Sequence, residues 1–156
     1  MLKATNISIS SNSAGVQIRQ LRVEDARQVA ELHITGIQTG FISSLGIDFV
    51  TAVYQAIAKI KNDDTRRDFV IENKDGQPIG IIGLVKIDDI NKTAECYCVI
   101  SERDFWGKGI ASIAHSMIIE WVFDALGLEK IWAEIRPENI AIRKLWKNSV
   151  SGIKVS

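Results

Sequence analysis

Eight consecutive residues, Phe105-Trp106-Gly107-Lys108-Gly109-Ile110-Ala111-Ser112, carry the clearest chemical signal in the chain. They stand between an apolar run, Cys96 to Ile100, and a periodic segment, Ile110 to Leu126. The run predicts a strand and the periodic segment a helix. Glycine lets the backbone turn tightly and approach a ligand closely. The first amides of a helix have no internal acceptors and lie at the positive end of its dipole. A strand entering a helix through two glycines is therefore an anion site built from backbone, suited to a diphosphate.

Two familiar glycine motifs do not fit. A P-loop needs four residues between its first Gly and a Gly-Lys-Ser/Thr, but Lys108 is followed by Gly109. A dinucleotide fingerprint needs a third glycine after the first strand of a parallel unit. Here Ser112 stands at that place, and three predicted strands come earlier.

The elements that must hold this turn follow from the order of patterns. Residues 1–15 read as a loose N-terminal extension with a short strand at Ile7–Ile9, and residues 16–156 as one domain. Val16 to Leu21 alternates as a strand. Ala26, Val29, Ala30 and Ile34 mark a helix over about 24–35. Phe41 to Leu45 reads as a short helical turn, and Phe49 to Ile60 as a second full helix. Strands follow at Asp68–Glu72, Pro78–Ile87 and Thr93–Ile100, joined by tight turns. After the helix beginning at Ile110 come a strand at Lys130–Ile135, a last helix from Asn139, and room for one short strand at Gly152–Val155. Strands joined by tight turns are antiparallel, whereas the strand–helix–strand unit over 93–135 is a parallel crossover. The expected fold is α/β: a mixed, mostly antiparallel twisted sheet with helices on both faces.

Bulk properties narrow the function. The 156 residues balance 19 basic against 19 acidic side chains, which favours neither nucleic acid nor an anionic membrane. Cys96 and Cys98 alternate along one strand, a spacing unsuited to a relaxed disulfide or a full metal site, so both read as core or pocket-wall residues. No apolar run approaches the ~20 residues that span a bilayer. The first residues lack a secretion pattern, so a cytoplasmic location is the default.

The element order, with its glycine turn after the fourth strand, resembles the GNAT superfamily of N-acetyltransferases over residues 17–148. Phe105 to Ala111 is similar to the turn of the branch containing ribosomal-protein N-terminal and amino-sugar acetyltransferases. Leu126-Gly127-Leu128-Glu129-Lys130-Ile131, then Arg136-Pro137-Glu138-Asn139, and Ala94-Glu95 extend the likeness. The resemblance implies acetyl transfer from acetyl-CoA, as co-substrate, to a primary amine by direct attack, with no metal.

The same resemblance distributes the roles. Trp106, Gly107, Gly109, Ile110, Ala111 and Ser112 would present amides to the coenzyme diphosphate, and Lys108 would add a positive charge or remain a solvated loop lysine. Val99 and Ile100 would offer backbone groups to the pantetheine arm, in a slot where the fourth strand splays from the fifth. Asn139 would bond that arm, cap the last helix, or both. Glu95 is the first candidate for the base, against a reading as a salt-bridging strand residue; Glu134 is the second. Tyr97 shares the Glu95 face and either lines the pocket or packs. His33 lies on the acceptor side or is structural.

Several positions depart from the family. Asp104 stands where Gln or Arg is favoured, and Ile142 where a small residue is usual. Trp146 replaces a Tyr that protonates the leaving thiolate in many relatives; indole N–H donates a hydrogen bond but does not titrate. The C-terminal strands are shortened, which predicts an exposed edge beside the fifth strand, covered by residues 1–15 or by a second copy in a homodimer. For the acceptor, Gly40 to Gly46 is similar to a segment in acetyltransferases of surface-sugar pathways. An amino sugar and a protein N-terminal amine are the two expectations, and the lack of an acidic cluster disfavours polyamines. The alternative is a CoA-binding or interaction domain with little or no turnover.

Overall fold

The structure is a computed structural model and describes residues 7–11, 15–37, 41–60, 63–100, 109–135, 137–148 and 152–155. Its elements in chain order are β1 (Ser8–Ser11), β2 (Val16–Gln20), a 3-10 turn (Val23–Asp25), α1 (Ala26–Gly36), α2 (Phe41–Ser44) and α3 (Ile47–Lys59). They continue with β3 (Arg67–Glu72), β4 (Pro78–Asp88), β5 (Thr93–Ile100), α4 (Ile110–Asp124), β6 (Lys130–Ile135), α5 (Ile140–Lys147) and β7 (Gly152–Val155).

The seven strands form one sheet in sequence order, β1 to β7. β1 to β5 are antiparallel; β6 is parallel to β5, and β7 to β6. The turns that fold the meander are set by short polar side chains. Asn73 Oδ1 accepts from the amides of Asp75 and Gln77, and Asp88 Oδ1 from those of Ile90 and Asn91. Such Asx turns fix tight reversals without help from the core.

Alternation along the strands splits the apolar residues between two faces. One face packs Phe69, Ile82, Leu84 and Cys96 against Ala114, Ile118 and Val122 of α4 and against Trp146 of α5. The other packs Val70 and Ile81 against Val29 and Ala30 of α1 and Val50 and Tyr54 of α3. Helices thus cover both faces, as the sequence predicts.

A buried ion network closes the start of α1. Arg19 on β2 donates from Nη1 and Nη2 to the two carboxylate oxygens of Asp25, and from Nε to Glu72 on β3 at 2.6 Å. Asp25 Oδ2 also accepts the Arg22 amide, capping the 3-10 turn. Burial works to raise Asp25, but the hydrogen bonds from Arg19 and Arg22 outweigh it and hold the carboxyl below its ordinary range.

Two expectations change at the sheet edges. The edge predicted to lie open beside Lys130–Ile135 is paired by β7 over Trp132 to Ile135. The described N-terminal strand, Ser8–Ser11, pairs instead with β2 on the far side of the sheet. The physical reason is α5, which returns the chain beside β6 and makes a second parallel crossover.

Candidate active site

The β5–β6 ladder pairs Thr93 to Cys96 with Lys130 to Ala133 and stops there. β5 continues to Ile100 on its β4 partner, with Val99 opposite Ile81, while β6 continues on β7. The two central strands therefore part beyond Cys96 and Ala133 and leave a cleft at their C-terminal ends. Open α/β sheets bind ligands outside the carboxyl ends of their strands.

α4 begins at this same end, because the crossover returns it from the end of β5. Gly109 precedes it at φ 74°, a left-handed conformation that favours glycine. The first helical bond runs from the Ile113 amide to the Gly109 carbonyl. The amides of Ile110, Ala111 and Ser112 thus have no acceptor within the helix. Trp106, Gly107 and Lys108 lie outside the described residues.

Asn139 follows β6 at this end too. Its carbonyl accepts the Arg143 amide at 3.1 Å, but its exposed side chain makes no capping bond. The cap is made by backbone, which leaves the carboxamide available to a ligand. Ile142 is buried in the core.

On the α1 and α3 face, β5 presents Glu95, Tyr97 and Val99 in alternation. Glu95 sits one residue before the ladder ends, with its side chain 16% exposed. Its Oε2 lies 2.7 Å from Lys86 Nζ and accepts no hydrogen bond, so the contact is one of charge. Trp132, opposite Glu95 on β6, carries the same ammonium 5.2 Å from its ring centre. Glu134 is exposed on this face, one residue past the ladder.

Tyr97 points away from the cleft, across β4 to β3. Its hydroxyl donates to Asp68 Oδ1 at 2.5 Å, and Arg66 binds both oxygens of Asp68 at 2.7 Å. Burial and the Asp68 charge push the Tyr97 phenol well above its ordinary value, so it stays protonated. His33 Nδ1 and the Tyr54 hydroxyl are hydrogen-bonded at 2.7 Å, and burial lowers His33. Sequence reasoning missed the Arg66–Asp68–Tyr97 and Lys86–Glu95–Trp132 groups. The only advance signal for the first was Gly83, a glycine inside a strand pattern.

Trp146 is fully buried, and its Nε1 donates to His115 Nδ1 at 3.0 Å. Burial pushes His115 down to about 4, so the imidazole is neutral and accepts. The indole that stands in place of the family's Tyr is part of the core and has a structural role. Burial raises both thiols, Cys98 to about 12, and neither is a nucleophile at neutral pH.

A cavity of about 300 Å³ lies at the opposite end of the sheet, bounded by Arg67, Ile87, Asp89, Lys92 and Leu126. It is remote from the cleft. Among the described residues no cluster of His, Cys, Asp and Glu is placed to hold a metal ion, and no helix is long and apolar enough to cross a membrane.

Residues 16–149 match the family described as the acetyltransferase (GNAT) domain. The chain belongs to that family. Among curated relatives, this GNAT chain is 28% identical over 124 residues to spermidine N(1)-acetyltransferase of Escherichia coli K12, an alignment covering 80% of the chain and 66% of that protein's length. It is 29% identical over 138 residues to the uncharacterized N-acetyltransferase p20 of Bacillus licheniformis, covering 86% and 76%. Among solved structures, a Vibrio cholerae spermidine N-acetyltransferase bound to CoA and spermine superposes with a TM-score of 0.70 at 23% identity, over 85% of this chain and 78% of that one. A chimera of the Vibrio cholerae enzyme reaches 0.73 at 24% identity, over 86% and 78%. At these identities the structural likeness is one of fold.

Proposed function

We propose that this GNAT chain transfers the acetyl group of acetyl-CoA to a primary amine of a small molecule. The observation that carries the reading is the cleft beyond Cys96 and Ala133, with the α4 amides and Asn139 at its mouth. The donors suit the coenzyme: backbone amides for the diphosphate, strand groups at Val99 and Ile100 for the amide-bearing arm, and a free carboxamide at Asn139. Trp106, Gly107 and Lys108 complete the grip in this reading.

Glu95 is the proposed base. An acceptor amine is an ammonium at neutral pH and must lose a proton before its lone pair attacks the thioester carbonyl. Glu95 takes that proton directly or through water. A β5 amide donates to the oxyanion, the C–S bond breaks, and the thiolate leaves without a side-chain acid and takes up, directly or through water, the second proton that the attacking nitrogen gives up. Trp146 has no part in that step, because its N–H is already held by His115.

The named relatives widen the acceptor class beyond the amino sugar and protein N-terminus expected from sequence, since those proteins are named for spermidine. A related Vibrio cholerae enzyme is described as dodecameric, which supports a homo-oligomer here and replaces the open-edge reason for a dimer. A cytoplasmic location follows from the same reading, where the thioester is supplied.

Free-thiol release from acetyl-CoA, with spermidine, glucosamine and a short peptide amine offered in turn, tests the proposal. Thiol release with at least one amine, and loss of at least about tenfold in kcat for Glu95→Gln, is the expected result. The second reading is a CoA-binding domain without turnover, and the Lys86 contact on Glu95 favours it. Calorimetric binding of CoA with no thiol release from any amine would select that reading.

A further inference from the structure

Regular alternation places Lys86 on the wrong face to meet Glu95. Leu84 packs on the α4 side of β4, so Lys86, two residues on, belongs there too. The β4–β5 register shifts between Val85 and Asp88, and Lys86 takes a left-handed backbone, φ 52°. Few non-glycine residues adopt that conformation. The bulge re-aims the side chain, a common use of bulges beside functional sites. The ammonium arrives at the Glu95 carboxylate and the Trp132 ring, on the α1 side.

The receiving site has the chemistry of an ammonium pocket. It offers a nearly buried carboxylate whose Oε2 accepts no hydrogen bond, beside the face of an indole. A carboxylate and an aromatic face together attract a cation by charge and by the ring quadrupole. The lysine that fills it is 71% exposed, so it leaves into water at little cost.

We propose that Glu95 and Trp132 form a subsite for the primary alkylammonium of the acceptor, and that Lys86 is an internal stand-in which the acceptor must displace. The identity of the displacing amine rests on the acetyl-transfer reading; the subsite itself does not. Lys86 then sets how readily the acceptor is admitted to Glu95, acting as a gate and leaving the chemical step untouched.

The test uses n-butylammonium as probe and the full chain labelled with 15N. The indole N–H signal of Trp132, assigned by its loss in Trp132→Phe, reports occupancy. Lys86→Met should lower the midpoint of the probe titration about five- to tenfold, since the competitor is gone. Lys86→Asn, which suits the left-handed backbone, should do the same, Lys86→Arg should keep the wild-type midpoint, and Glu95→Gln should abolish the response. In turnover, Lys86→Met should lower the KM for the amine by a similar factor, with kcat changed less than about twofold. Equal midpoints in wild type, Lys86→Met and Lys86→Asn would overturn the proposal, as would a Trp132 signal indifferent to the probe in every variant. Because the titration reads binding, a failure of thiol release counts against the enzymatic reading alone.

Discussion

The ring of Tyr97 occupies the space that a side chain on Gly83 would fill. A Cβ on Gly83 would stand 2.6 Å from Tyr97 Cε1 and 2.6 Å from the Arg67 carbonyl oxygen. The missing side chain lets the phenol cross β4 and reach Asp68 on β3, so the three strands are joined in one line. The link holds the outer half of β5 to β4 at the level where β5 leaves β6. It is the side-chain counterpart of the cleft.

Gly83→Ala is expected to cost about 1–3 kcal/mol, the usual penalty of overpacking. Urea unfolding measures it. In a Tyr97→Leu background the same substitution should cost less, because the phenol no longer occupies the space. Equal costs in both backgrounds would mean that the Arg67 carbonyl is the only obstacle.

The His115–Trp146 pair makes stability depend on pH in a defined window. The imidazole is held neutral in the folded chain, at about 4, against about 6.5 unfolded. The unfolded chain therefore takes up a proton that the folded chain refuses as pH falls below 6.5. Stability from this group is complete above 6.5, declines by roughly 3 kcal/mol toward pH 4, and is level below it. His33 contributes with the same sign. His115→Asn keeps an acceptor for the indole and should flatten the decline between pH 6.5 and 4 in chemical-denaturation curves.

Trp146→Tyr is expected to lower stability without raising turnover. The position lies in the core, so a phenol there would not reach a leaving group. Trp146→Ala should cost about 3–5 kcal/mol. Faster thiol release by Trp146→Tyr would restore an acid role to this position.

Arg19→Met should be among the most damaging changes away from the site. It leaves the Asp25 and Glu72 carboxylates, 9% and 11% exposed, without their cation. Breaking a buried pair this way costs about 3–5 kcal/mol. Thermal unfolding at neutral pH measures it, and lowering the pH should narrow the gap to wild type as Asp25, held low by Arg19 in the wild type, protonates.

Local signals explain what was legible in advance. β5, β6 and β7 fall at the sequence-derived bounds because each is an apolar alternation between strong turn residues. α4 begins at Ile110 because Gly109 and the periodic run agree. The left-handed Gly109 that opens α4 was legible for the same reason, being backbone and glycine. Long-range polar contacts were not. The partners Tyr97 and Asp68 are 29 residues apart, and Trp146 and His115 are 31 apart. No periodicity announces such a pair. Lys86 was harder still, since a bulge reverses the face that alternation assigns to it.

A crystal structure grown with acetyl-CoA tests the central claim most directly. The pantetheine arm is expected in the cleft beside Val99 and Ile100, the diphosphate on the amides of Ile110 to Ser112, and Asn139 within hydrogen-bond distance of the arm. Coenzyme bound elsewhere on the chain, or no coenzyme at saturating concentration, would contradict it.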